Sequence, residues 1–105
     1  MRFSVDEVLA KLPLPATDKW KRGVWNTEPF KNNQVSLVFF APEKEDFQTF
    51  HDQDEYYFIA RGSGTLVIGN ELFPAKAGDA FFVAAEERHH FEDFTDDFAT
   101  WAVFF

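Results

Sequence analysis

The chain contains no cysteine among its 105 residues, which excludes a disulfide framework and a thiolate metal centre. Any bound metal ion would need imidazole nitrogen, carboxylate oxygen or amide oxygen as its ligands. Basic residues are also scarce, because ten Lys and Arg stand against eighteen Asp and Glu, for a formal net charge of −8. Since a phosphate backbone is bound through a cationic surface, we expect no nucleic-acid partner.

Long apolar runs are missing as well. No stretch approaches the roughly 20 apolar residues that span a bilayer. The opening residues MRFSVDEV lack the charged and then apolar pattern of a secretion signal. We therefore expect a protein that has no membrane partner and is located in the cytoplasm.

Aromatic residues are abundant, at 19% of the chain with fifteen Phe. Large rings favour strands and fill the interior of a β fold. A chain of 105 residues can bury one core but not two, so a single domain over residues 1–105 is expected. Composition thus predicts an all-β protein with a bulky interior.

A short helix is predicted at the N-terminus, over about residues 5–12. Ser4 and Glu7 have the spacing of a capping box, and Phe3 and Val8 have that of a hydrophobic staple. Pro13 ends the helical pattern, because proline cannot continue a helix. We expect this helix to pack against a barrel that covers about residues 20–105.

The rest of the sequence predicts many short strands. Gly69 and Asn70 accept the positive φ of a tight hairpin turn, and the charged residues 43–46 are expected to form a solvated loop. Short strands at regular spacing are typical of a sandwich or barrel. Strands are predicted at residues 20–27, 35–40, 65–68, 71–73, 80–83, 89–91 and 98–105.

Polar side chains alternate in residues 49–62. Thr49, His51, Gln53 and Glu55 fall on every second position, so an extended backbone would direct all four to one face. A buried imidazole and carboxylate must be paired or coordinated to offset their desolvation. The pattern favours a metal or ligand site inside a β core.

This stretch resembles the first motif of the cupin family, whose members are double-stranded β-helix or jelly-roll barrels. Glu55 and Gly62 have the six-residue gap of the family's Glu and Gly, and His51 stands in the place of its second His. Thr49 replaces the first His. An alternative registration takes His51 and Gln53 as the two His positions, but it leaves too few residues before Glu55.

Residues 78–93 resemble the second cupin motif. Gly78, His89 and Asp93 stand in the Gly, His and Asn places of that motif. Ala84 and Glu86 stand where the family has Pro and Gly. The short connection between the two motifs resembles that of a compact, single-domain cupin.

The resemblance implies a divalent metal ion, Fe, Mn, Ni or Zn, held by His51, Glu55 and His89. The strand parity that these residues share also predicts pocket-lining side chains, at Thr49, Gln53, Tyr57 and Phe91. His90 has the opposite parity and is expected to face outward. The alternative that the two His and the Glu are hydrogen-bonded without a metal remains open.

Two functions fit these observations. The first is a metal-binding cupin enzyme that acts on a small organic molecule inside an aromatic-lined barrel. The second is a non-enzymatic small-molecule-binding cupin with a degenerate metal site, which Thr49 in place of a His would explain. A homodimer is expected in either case, because Tyr56 and Phe58 lie on the outward parity and small cupin barrels commonly pair.

Overall fold

The computed structural model describes residues 1–46, 48 and 51–105. No helix in this part of the chain is long and apolar enough to cross a membrane. The described residues form one helix and eight strands, in the order α1 Val5–Leu9, β1 Asn26–Asn32, β2 Val35–Phe40, β3 Glu55–Arg61, β4 Ser63–Ile68, β5 Glu71–Lys76, β6 Ala80–Val83, β7 His89–Glu92 and β8 Ala99–Phe104.

The strands form two antiparallel sheets, which confirms the all-β prediction. The larger sheet has the order β1-β2-β8-β3-β6, and the smaller has the order β5-β4-β7. The core joins the two sheets, because Tyr57 of β3 and Ala102 of β8 cluster with Leu66 of β4 and Phe91 of β7. Burying these side chains supplies the main apolar stabilisation of the fold.

Strand β3 shows the alternation most clearly. Glu55, Tyr57 and Ile59 are buried, whereas Tyr56 and Phe58 are 42% and 45% exposed. Side chains of a strand point to opposite faces in turn, so the inner set lies between the sheets and the outer set lies on the surface. One strand therefore contributes both to the interior and to an exposed aromatic surface.

The tight turn after β3 requires glycine. Gly62 has φ +71, and a Cβ atom there would lie 2.9 Å from the Cα of Phe98. Both the backbone conformation and the lack of space exclude a side chain. The predicted hairpin at Gly69 and Asn70 is confirmed, because Ile68 pairs with Glu71 across it.

The first strand was predicted wrongly at residues 20–27. Strand β1 starts at Asn26 and runs through Pro29, and its register with β2 shifts between Thr27 and Phe30. Proline has no N–H for a ladder and is tolerated at irregular positions of edge strands. Because β1 is an edge strand of the larger sheet, this irregularity accommodates Pro29.

The N-terminal helix is confirmed but is shorter than predicted, and its capping box is wrong. Ser4 is the N-cap residue but makes no side-chain cap hydrogen bond, and Glu7 binds Arg2 over 2.8 Å instead. The helix is held by packing, since Val8 is buried against Phe39 in a second apolar cluster. Tertiary contacts thus compensate for the missing cap.

Candidate metal centre

Two polar side chains from opposite sheets meet in the interior. Glu55 is the first residue of β3 and His89 is the first residue of β7, and they are 2% and 3% exposed. Glu55 Oε1 and His89 Nε2 are 3.0 Å apart, but the two groups are not aligned for a hydrogen bond. Both atoms are therefore buried, close together and without a hydrogen-bond partner among the described residues.

The orientation of the His89 ring is set by a backbone contact on the side away from Glu55. Its Nδ1 lies 2.8 Å from the carbonyl oxygen of Glu87. A carbonyl oxygen only accepts, so Nδ1 carries a proton, and Nε2 is the nitrogen that faces the interior and Glu55. A metal-binding imidazole is usually held in this way.

Burial of His89 lowers its pKa, but the nearby Glu55 carboxylate and the Glu87 carbonyl outweigh burial, and the net pKa is raised above 6.5. The negative charge of Glu55 favours the imidazolium form when no other cation is present. A proton and a metal ion would thus compete for the same nitrogen.

His51 lies in the segment before β3, and its ring completes the group. The ring centroid of His51 is 5.3 Å from that of His89 and 4.9 Å from that of Phe104. Burial lowers the pKa of His51 below 6.5, against a smaller opposing effect of Glu55. The ligand atoms of His51, Glu55 and His89 all lie within 4.8 Å of one another.

The donor set fits a divalent metal ion. Two ligands at right angles on one ion, each about 2.1 Å from it, lie about 3 Å apart. That is the separation of Glu55 Oε1 and His89 Nε2, at 3.0 Å. Two imidazoles and one carboxylate are ligands typical of Fe, Mn, Ni and Zn sites.

A cavity of about 490 Å³ opens beside His51 and Glu55. Its wall includes aromatic rings, three side-chain amides and one lysine. The rings are those of Trp20, Phe40, Tyr57 and Phe104, the amides are those of Asn26, Gln48 and Gln53, and the lysine is Lys19. An apolar wall with a few polar groups is typical of small-molecule sites.

The pocket residues predicted from parity lie in different places. Tyr57 and Gln53 line the cavity, and the Gln53 amide donates to the carbonyl oxygen of Gln34 over 2.8 Å. Phe91 lies behind Tyr57 in the core, with ring centroids 4.8 Å apart. Thr49 lies outside the described residues. His90 makes a half-exposed contact with Glu92.

Sequence reasoning missed Asp46 and Gln48. We expected residues 43–46 to be solvated, yet Asp46 is half-buried, and burial raises its pKa against hydrogen bonds from the Phe91 and Gln48 amides. Asp46 Oδ2 accepts from Phe91 N over 2.8 Å and from Gln48 Nε2 over 2.6 Å. Gln48 Oε1 accepts from the Tyr57 hydroxyl over 3.1 Å and lies 3.4 Å from His51 Nε2. Neither residue belongs to a motif that spacing would reveal.

The fold and this cluster define a class of protein, namely a small antiparallel β domain that gathers two imidazoles and one carboxylate beside an aromatic-walled cavity. Residues 36–105 match the family model of the cupin domain. The chain belongs to the cupin family.

The chain is also similar to individual proteins, and the solved structures among them share its fold. An uncharacterized protein of Streptomyces coelicolor is 30% identical over 74 residues, which is 70% of each chain. A cupin 2 conserved barrel domain protein of Salinispora arenicola superimposes with a TM-score of 0.64 at 21% identity, over 76% of this chain and 73% of that one. A variant of Pac13 from Streptomyces, solved with uridine, has a TM-score of 0.61 at 20% identity, over 75% of this chain and 65% of that one. Pac13 is a nucleoside dehydratase.

Proposed function

We propose that this chain is a small metal-binding cupin that binds or acts on a small organic molecule in its aromatic-walled cavity. The observation that carries the proposal is the pair Glu55 Oε1 and His89 Nε2, which are buried 3.0 Å apart and make no aligned hydrogen bond among the described residues. A buried carboxylate needs a positive charge beside it, which either a proton on His89 or a divalent cation between the two groups would supply. The nearby His51 nitrogen supplies a third ligand.

In this proposal His51, Glu55 and His89 hold the ion, and Fe, Mn, Ni and Zn suit this ligand set. A bound ion would supply Lewis-acid chemistry toward an oxygen atom of the organic molecule. An ion held by these three residues would keep coordination positions for other ligands, and the organic molecule would lie in the cavity that His51 and Glu55 line.

Other cavity residues would select the molecule. The rings of Trp20, Phe40 and Phe104 offer flat apolar contact, and Lys19 is a cation on the same wall. Burial raises the pKa of Tyr57 well above 10, so its hydroxyl remains a neutral donor. A flat molecule with polar substituents fits this wall. Pac13 with uridine supports a small-molecule ligand for a fold of this shape, without identifying the ligand of this chain.

The second candidate is a binding module without catalysis. This candidate is favoured by Thr49, which stands where the first motif of the cupin family has its first His. In this case His51, Glu55 and His89 would hold the ion weakly, and the cavity would bind its molecule without turnover.

The test is the metal content of the purified protein after incubation with Zn²⁺ or Mn²⁺ and removal of free ion. We expect close to one ion per chain in the wild type and a sharp loss in His51→Ala and His89→Ala. His90→Ala is the matched control, because His90 lies outside the cluster and contacts Glu92. Equal loss in His89→Ala and His90→Ala, or no metal in the wild type, would refute the site.

A homodimer is part of the same proposal. An outer aromatic patch consists of Tyr56, Phe58, Phe82 and Phe105, and the ring of Tyr56 contacts each of the other three. These four side chains are between 42% and 49% exposed. An apolar patch of this kind on a strongly acidic chain is a place where two copies approach without charge repulsion. A single domain and a cytoplasmic location remain predictions from the sequence.

A further inference from the structure

The side-chain amide of Gln48 has a fixed orientation. Its Nε2 donates to Asp46 Oδ2 over 2.6 Å, and a carboxylate oxygen can only accept. The nitrogen end therefore faces Asp46, and the oxygen end faces the cavity. The Tyr57 hydroxyl is compatible with this orientation, because it can donate to Gln48 Oε1 over 3.1 Å.

Asp46 is itself held in place by the fold. It accepts from the backbone N–H of Phe91 in β7 over 2.8 Å and from the backbone N–H of Gln48 over 3.0 Å. The smaller sheet thus fixes Asp46, and Asp46 fixes the amide of Gln48. A side chain that is positioned through two such steps presents the second lone pair of its oxygen, beside the one that accepts from Tyr57, with little loss of entropy on binding.

The Gln48 oxygen lies next to the proposed metal ligands. Gln48 Oε1 is 3.4 Å from His51 Nε2, close to the spacing of neighbouring ligands on one ion. If His51 binds a metal through Nε2, that nitrogen has no proton to donate to Gln48. Two lone pairs would then face each other over this distance, and a cation that binds both atoms would remove the repulsion.

We propose that Gln48 Oε1 is a fourth protein ligand of the metal ion, in the role that an imidazole from position 49 would otherwise take. This inference rests on the proposed function. It describes a site with two nitrogen and two oxygen donors, in which only Glu55 carries a charge. An amide oxygen is a harder donor than imidazole, so the site should prefer Mn²⁺ more than a three-imidazole site would.

Asp46 has a positioning role in this arrangement. Its carboxylate holds the amide nitrogen of Gln48, so the opposite oxygen stays directed at the ion. The variant Asp46→Asn would place an NH₂ group against one of the two backbone N–H groups, those of Gln48 and Phe91, that now donate to the Asp46 carboxylate. The Gln48 amide would then be held by a neutral and weaker acceptor, so its orientation would be less firmly fixed while its chemical nature stayed the same.

The experiment measures Co²⁺ binding by calorimetry and by the visible absorption of the bound ion. Gln48→Met removes the oxygen with little change in shape, and Gln48→His restores a ligand atom. Gln34→Met is the matched control, because Gln34 is exposed at the turn between β1 and β2. Circular dichroism establishes that all variants are folded.

We expect Gln48→Met to weaken Co²⁺ binding by at least about tenfold and to change the absorption spectrum. We expect Gln48→His to bind at least as tightly as the wild type, and Asp46→Asn to lie between the wild type and Gln48→Met. Unchanged affinity and spectrum in Gln48→Met would overturn the inference while leaving the three-ligand site intact. Equal weakening in Gln48→Met and Gln48→His would also overturn it, because a ligand atom would then make no difference. A wild type that binds no Co²⁺ would overturn both this inference and the proposed function.

Discussion

The hydroxyl of Tyr57 donates to the amide oxygen of Gln48 over 3.1 Å, while the ring of Tyr57 is fully buried. The same ring contacts Phe91 in the core, with centroids 4.8 Å apart, and it approaches His89 at 6.0 Å. One side chain thus belongs both to the packed interior and to the candidate metal centre. Substitutions at this residue separate the two contributions.

Tyr57→Phe should lower the free energy of unfolding by about 1 kcal/mol, because it removes one hydrogen bond and retains the ring. Tyr57→Ala should lower it by about 3–5 kcal/mol, because it leaves a cavity in the core. Urea unfolding measures both values. A loss in Tyr57→Phe as large as that in Tyr57→Ala would show that the hydroxyl, and not the ring, dominates the contribution of this residue.

Metal affinity should rise with pH between about pH 5 and about pH 8. Because the pKa of His89 is raised, its Nε2 still holds a proton at pH values somewhat above 6.5, and the metal must displace that proton. The lowered pKa of His51 leaves that ring unprotonated at the same pH. Zn²⁺ titrations across this range measure the effect, and a flat profile would contradict it.

The metal-free protein should show the matching effect on stability. A raised folded-state pKa makes the contribution of His89 fully present below the unfolded value near 6.5, and it is lost as pH rises through the folded pKa. The lowered pKa of His51 acts in the opposite sense, and its contribution is lost as pH falls below 6.5. Urea unfolding of His89→Gln at several pH values isolates the first contribution, which should disappear in this variant.

Glu86→Gly should stabilise the protein by about 1 kcal/mol, because Glu86 has φ +65, a conformation that costs non-glycine residues about this much. The hydrogen bond from the Glu86 amide to the His51 carbonyl is retained in this variant. Ala85→Gly, one residue earlier in the same turn, is the control and should lower stability. Thermal unfolding compares the two, and a loss of stability in Glu86→Gly would disprove the strain.

Wild-type protein should sediment as a dimer, and Phe82→Asp should sediment as a monomer. The reason is that a charge in the outer aromatic patch would be buried without a partner when two copies meet. Leu72→Asp is the control, because Leu72 is 64% exposed on the smaller sheet, away from this patch. A wild type with the mass of one chain at micromolar concentration, or a Phe82→Asp variant that remains a dimer, would contradict the prediction.

Thr49→His should increase metal affinity, because the family's first imidazole would be restored. The reasoning rests on the motif alone, since Thr49 lies outside the described residues. The increase should be larger in a Gln48→Met background, where the new imidazole would have no amide oxygen to displace. Calorimetry with Co²⁺ measures both, and no gain in either background would argue against the chosen motif registration.

Sequence predicted those parts of the molecule that repeat or have fixed spacing. The alternation in β3 and the turn at Gly69 are local properties, so the strands and hairpin were predictable. The meeting of Glu55 and His89 was implied by the resemblance to the two cupin motifs, and the structure places each at the start of its strand. These predictions needed no knowledge of side-chain contacts.

Other parts depend on contacts that no spacing encodes. The bounds of β1 were not predicted, because the strand contains Pro29. The register shift that accommodates this proline arises only when β1 pairs with β2. The role of Gln48 depends on its hydrogen bond to Asp46, and Asp46 is held by Phe91, which is far away in the sequence. A polar network of this kind is assembled in space, so single-sequence patterns cannot locate it.

The alternation of β3 makes insertions within this strand unusually harmful. Glu55 and Tyr57 face the interior while Tyr56 and Phe58 face outward, so one added residue at the middle of the strand would exchange the two sets for part of its length. The exchange would turn outer rings toward the interior and inner side chains toward the surface at the same time. Length variation in this strand should therefore occur in steps of two residues, or be displaced to the loops that flank it.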